Sequence, residues 1–87
     1  MADVHLPGTL MPLFTGLPRH VEVEAATVEE AVAELDRRWP GLFDRLCEPG
    51  PCIRTHIHFY VDQERATLET PLESRSRVEV IAAISGG

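Results

Sequence analysis

Three groupings in this chain carry usable chemistry: the carboxylate behind Gly86-Gly87, the thiols of Cys47 and Cys52, and the imidazoles of His56 and His58. A glycine has no Cβ, so a Gly-Gly end takes backbone conformations closed to other residues and threads a narrow channel. The Gly87 carboxylate is therefore suited to being handed to another protein's active site.

The cysteines and histidines are weaker candidates. Cys47, Cys52, His56 and His58 follow one another at spacings of five, four and two, which match no tight zinc pattern of paired Cys-x₂-Cys ligands. His56 and His58 share one face of an expected strand, whereas both cysteines flank a Pro-Gly-Pro loop. A nucleophilic cysteine needs an adjacent base and a third, orienting group, and no pattern here locates them. The expectation is two reduced loop cysteines, no metal site and no bound cofactor, with His56, His58 and Tyr60 forming a polar docking face.

The elements that must position these groups are legible from periodicity. Val4-His5-Leu6 is extended and ends at the turn signal Pro7-Gly8. His20-Val21-Glu22-Val23-Glu24 alternates with period two, as a half-buried strand does, so the two predict a hairpin joined by the partly buried loop from Thr9 to Pro18. In that loop Met11, Leu13 and Phe14 are expected to cover the core. Thr27 with Glu30 three positions later forms a capping box. It opens a helix whose Val28, Ala31, Val32, Leu35 and Trp39 fall on one face. Glu29 and Glu30 lie in its first turn and Arg37 and Arg38 in its last, as the helix dipole favours, and Pro40-Gly41 stops it.

Leu42, Phe43 and Leu46 predict a short turn packed under a sheet. Ile53 to Val61 reads as a strand, Asp62-Gln63-Glu64-Arg65 as a turn and Ala66-Thr67-Leu68 as a short extended piece. Arg77 to Ala83 is the last strand. The order strand, strand, helix, strand, strand predicts an α+β fold, a mixed sheet of four to five strands with one main helix across it. Residues 1–87 make one domain, with a flexible tail at 84–87.

Composition restricts the partners. Fourteen acidic against eight basic residues give a formal net charge of −6, which repels phosphate backbones and excludes nucleic acid as a direct ligand. A partner with a basic docking face fits better. With 44% apolar residues the chain can build a core, yet no run approaches the ~18–20 apolar residues that span a bilayer. No secretory signal is apparent, so the expected compartment is cytoplasmic. All eight basic residues are arginine. Without a lysine amine, the chain cannot be the acceptor of an isopeptide bond.

The chain resembles the ubiquitin-like β-grasp sulfur carriers, the family of the molybdopterin synthase small subunit and the thiamine sulfur carrier. The resemblance rests on Thr27-Val28-Glu29-Glu30-Ala31 opening the helix and Trp39-Pro40-Gly41-Leu42 closing it. Phe59-Tyr60-Val61-Asp62, Thr70-Pro71-Leu72 and Val78-Glu79-Val80-Ile81 before Ala83-Ile84-Ser85-Gly86-Gly87 complete it. Members often carry Asn-Gly where this chain has Asp62-Gln63.

The resemblance implies that an E1-like enzyme uses ATP and Mg²⁺ to adenylate Gly87. A sulfur donor then displaces AMP to leave a thiocarboxylate, and Gly86-Gly87 insert into an acceptor synthase of molybdopterin, thiazole, cysteine or related biosynthesis. The chain would then be a co-substrate, or the small subunit of a synthase complex, and not an enzyme. The alternative is a ubiquitin-like modifier that forms isopeptide bonds through Gly87.

Overall fold

The computed structural model describes residues 1–82. Strands β1 (Ala2–His5) and β2 (His20–Val23) pair antiparallel, with Ala2 opposite Val23 and His5 opposite His20. A 3₁₀ helix over Gly8–Leu13 lies in their connection, where the sequence predicts only loop. Helix α1 (Val28–Arg38) follows, then α2 (Leu42–Leu46), and a two-residue pair, β3 (Cys47–Glu48) with β4 (Cys52–Ile53). Strands β5 (Ile57–Val61), β6 (Glu64–Ala66) and β7 (Arg77–Ala82) complete the fold.

The main sheet has the order β2-β1-β7-β5-β6. Only β1 and β7 are parallel, so the sheet is mixed, with the last strand at its centre. Alternation then sends Ala2, Val4, Val21, Val23, Phe59, Val78 and Val80 to one face, where all are buried. Helix α1 packs on that face through Val28, Ala31, Val32 and Leu35. Burying one such side chain contributes about 1.5–3 kcal/mol, and the twenty apolar residues of this cluster form one continuous core.

The ends of α1 show why it starts and stops where it does. Glu30 N–H donates to Thr27 Oγ1 at 3.2 Å, and Glu30 Oε1 accepts from Ala26 N–H at 3.0 Å, one residue before the expected position. Two further amides of the first turn are satisfied from the segment after β6. Val28 N–H donates to the Thr70 carbonyl and Glu29 N–H to the Leu68 carbonyl, so Thr70-Pro71-Leu72 is the strap that fixes the helix to the sheet. At the other end Gly41 sits at φ +99°, a left-handed conformation that suits glycine. Asp36 Oδ1 holds this reversal by accepting from Gly41 and Phe43 N–H.

Three expectations need correction. The strand predicted over Ile53 to Val61 is interrupted, because Arg54 N–H donates to the Leu46 carbonyl and Ile57 N–H to the Arg54 carbonyl, making a turn. The turn predicted at Asp62-Gln63-Glu64-Arg65 is only its first two residues, and β6 starts at Glu64. Leu13 is 49% exposed and not core, while Met11 and Phe14 pack partly against it and Leu10 is buried.

Candidate functional site

Gly86 and Gly87 lie outside the described residues, as does the tail expected at 84–87. What the fold defines is the strand that leads to them. β7 is held on both sides, by β1 through Val4 opposite Val78 and by β5 through Ile57 opposite Ala82. Pairing with β1 covers Arg77 to Glu79 and pairing with β5 covers Val78 to Ala82, so the last described residues of β7 are held by β5 alone.

Beside Ala82 lies an open groove of about 1010 Å³, walled by Leu10, Leu13, Arg45, Arg54, His56 and Ile57. Its apolar part comes from the 3₁₀ helix and its cationic part from the α2 region. Arg54 is tied down, its Nε donating to the Asp44 carbonyl at 2.8 Å and its Nη1 lying 3.6 Å from Glu48 Oε1. Asp44 also lines it, so the groove offers contact area and a wall of mixed charge beside Ala82.

The polar face expected from His56, His58 and Tyr60 is formed in part. His58 pairs with Ile81 and Tyr60 with Glu79, placing all four on the face of the sheet away from α1. His56 is not with them. It precedes β5 in the turn and lines the groove at Ala82. Register also builds a transverse row on that face, His20–His5–Glu79–Tyr60–Arg65, one residue from each strand.

Cys47 is buried and Cys52 exposed, and both are free thiols. Burial pushes the Cys47 thiol up to about 11, with smaller contributions from Cys52 and Glu29. It is thus protonated and weakly nucleophilic at neutral pH. Cys47, Cys52, His56 and His58 do not converge into a ligand set among the described residues. Asp3, His5 and His20 do, a grouping that sequence reasoning missed. The predicted hairpin pointed to it only in part, because the pairing of His5 with His20 depends on a register that the long intervening loop leaves open.

Among the described residues no helix is long and apolar enough to cross a membrane. The model of the ThiS family matches residues 4–87. Solved structures agree in fold. A chain of the BexX/CysO complex of Amycolatopsis orientalis superposes with a TM-score of 0.88 and 26% identity over 100% of both chains. SAMP1 of Haloferax volcanii gives a TM-score of 0.81 and 25% identity, covering 99% of this chain and 98% of its own. Mycobacterium tuberculosis CysO, described as an antigen, shares the fold with a TM-score of 0.85 at 23% identity, over 97% and 100%. No curated protein is significantly similar in sequence.

Proposed function

The chain belongs to the ThiS family, ubiquitin-like β-grasp proteins of the sulfur carrier and modifier kind, and from that premise we propose that it carries sulfur on Gly87. The Gly87 carboxylate attacks the α-phosphate of ATP in an E1-like enzyme, releasing pyrophosphate and forming an acyl adenylate. A sulfide-level donor then attacks the acyl carbon and displaces AMP, so that a carbon–sulfur bond replaces the acyl carbon–oxygen bond to AMP and a thiocarboxylate results. Adenylation matters because a carboxylate oxygen is a poor leaving group and AMP a good one.

The single observation that supports this reading is the span of the family match, which runs through Gly86-Gly87 to the last residue. The structure fits the role of a carried co-substrate. Ala82, the last described residue of β7, lines an open groove that offers a surface to the enzyme that receives the tail. In the acceptor synthase the thiocarboxylate sulfur attacks an electrophilic substrate carbon and displaces its leaving group. Water then cleaves the acyl carbon–sulfur bond, which leaves sulfur on the substrate and regenerates the Gly87 carboxylate. Molybdopterin, thiazole, cysteine and related synthases are the acceptor classes. A cytoplasmic setting, reducing enough to keep Cys47 and Cys52 as thiols, suits this chemistry.

A second reading is favoured by the similarity to SAMP1, a small archaeal modifier protein. Under it the same adenylate is passed to lysines of other proteins. Incubation with the cognate activating enzyme, ATP, Mg²⁺ and a sulfide source separates the two by intact mass. Exchange of one oxygen for sulfur supports the carrier, and high-mass adducts support the modifier. An unchanged mass, or full activity after deletion of Gly86-Gly87, overturns both.

A further inference from the structure

Two imidazoles and a carboxylate converge on the sheet face opposite α1, far in sequence from the tail chemistry. Ala2, Val4, Val21 and Val23 are buried, and because strand side chains alternate, Asp3, His5 and His20 are forced to the other face. Register then does the rest. His5 lies directly opposite His20 across the antiparallel pair, their ring centroids 3.9 Å apart. Asp3, two positions back on β1, stands on the same side.

We propose that Asp3, His5 and His20 form a binding site for a borderline divalent first-row cation of the Zn²⁺ and Co²⁺ class. Ligand atoms of the three residues all lie within 4.8 Å of one another. His5 Nε2 and Asp3 Oδ2 share a hydrogen bond at 2.9 Å, so the same two atoms already face each other, and a tetrahedral ion replacing that proton needs them to part only to about 3.4 Å. His20, exposed on the edge strand, supplies the third donor.

The donor chemistry selects the ion. Imidazole suits zinc, cobalt, nickel and copper, whereas calcium and magnesium require oxygen ligands. The Asp3 carboxylate neutralises part of the dication, and the net charge of −6 lowers the cost of the remainder. Arg77, which pairs with Asp3 in register on β7, is directed to Glu79, its Nη2 lying 3.6 Å from Glu79 Oε2. It does not occupy the site. His5 is shielded, its side chain 17% exposed, while Asp3 is 45% exposed, so one side stays open to water or to a ligand from a partner. Since β2 is an edge strand, an ion held by His5 and His20 pins that edge to β1.

The test uses untagged full-length protein carrying Cys52→Ser, which removes the exposed thiol as a competing ligand. Co²⁺ is titrated in metal-free buffer and followed by its visible d–d absorption, then displaced with Zn²⁺. Saturable 1:1 uptake with displacement by Zn²⁺ is expected. His20→Ala should weaken uptake about tenfold or more, and His56→Ala should leave it unchanged. His20 is exposed, so its variant is expected to fold, as a thermal melt without metal verifies. Zn²⁺ should raise the melting temperature of the parent and not of the folded His20→Ala variant. Absence of saturable uptake up to millimolar Co²⁺, or equal affinity in His20→Ala, overturns the proposal.

Discussion

Asp62 and Arg77 hold each other by two hydrogen bonds: Asp62 N–H donates to the Arg77 carbonyl at 2.9 Å, and Arg77 N–H to Asp62 Oδ1 at 3.0 Å. The pair ties the β5–β6 turn to the first residue of β7. It thereby fixes where the central strand starts. The turn itself is left-handed at both central residues, with φ +50° at Asp62 and +74° at Gln63, which is the two-residue hairpin geometry that favours Asn-Gly or Asp-Gly.

Two opposite stability changes follow from that turn. Asp62→Ala removes the acceptor of Arg77 N–H and places alanine at positive φ, so it should cost about 1–2 kcal/mol. Gln63→Gly relieves the strained residue and should stabilise by about 0.5–1 kcal/mol. Urea denaturation of the two variants checks both signs at once, since the m-value should stay constant while the midpoints move apart.

The helix and the first hairpin were legible because their determinants are local. Thr27 and Glu30 lie three residues apart, and the apolar spacing of Val28, Ala31, Val32 and Leu35 needs no partner to be recognised. The break at Arg54–His56 was hidden, because it depends on Arg54 N–H reaching the carbonyl of Leu46 and Ile57 N–H that of Arg54. Asp62-Gln63 was readable as a turn, yet its two-residue length required the register Val61 opposite Glu64. Gly86-Gly87 was visible as a motif. By contrast Asp3, His5 and His20 become a group only once β1 and β2 are set in register across the intervening loop.

Leu35 is fully buried at the centre of the α1 face. Leu35→Ala should lose about 2–5 kcal/mol through lost burial and the cavity left behind. On a small domain that is a large part of the total stability. A fall of the urea midpoint by much less would show that α1 repacks against the sheet.

Cys47 should make the fold sensitive to alkali. Its thiol is raised by burial from 9.0 to about 11, so the unfolded chain releases the proton first. The contribution to stability is complete below pH ~9 and is lost as pH rises toward the folded value. Cys47→Ala should show lower stability at neutral pH and a flatter decline between those two values. Iodoacetamide at pH 8 should label Cys52 rapidly and Cys47 only on unfolding, with the two sites distinguished by peptide mass.

Leu13 tests whether the groove at Ala82 serves the tail. An enzyme that takes Gly87 must approach the end of β7, and Leu13 stands in the wall of that groove with half its surface in water. Leu13→Asp places a charge where an enzyme would bury an apolar side chain, while costing the free fold within about 0.5 kcal/mol because the site is exposed. The expected outcome is an unchanged urea midpoint together with a KM for the activating enzyme raised about tenfold and kcat nearly constant, the signature of lost ground-state contact. Ile81→Asp provides the comparison, since Ile81 is 47% exposed on the open face of the sheet, outside that groove wall. If Ile81→Asp alone raises KM, the enzyme docks on the open face and the groove is not its contact. If both do, the contact wraps the edge of the sheet around the end of β7.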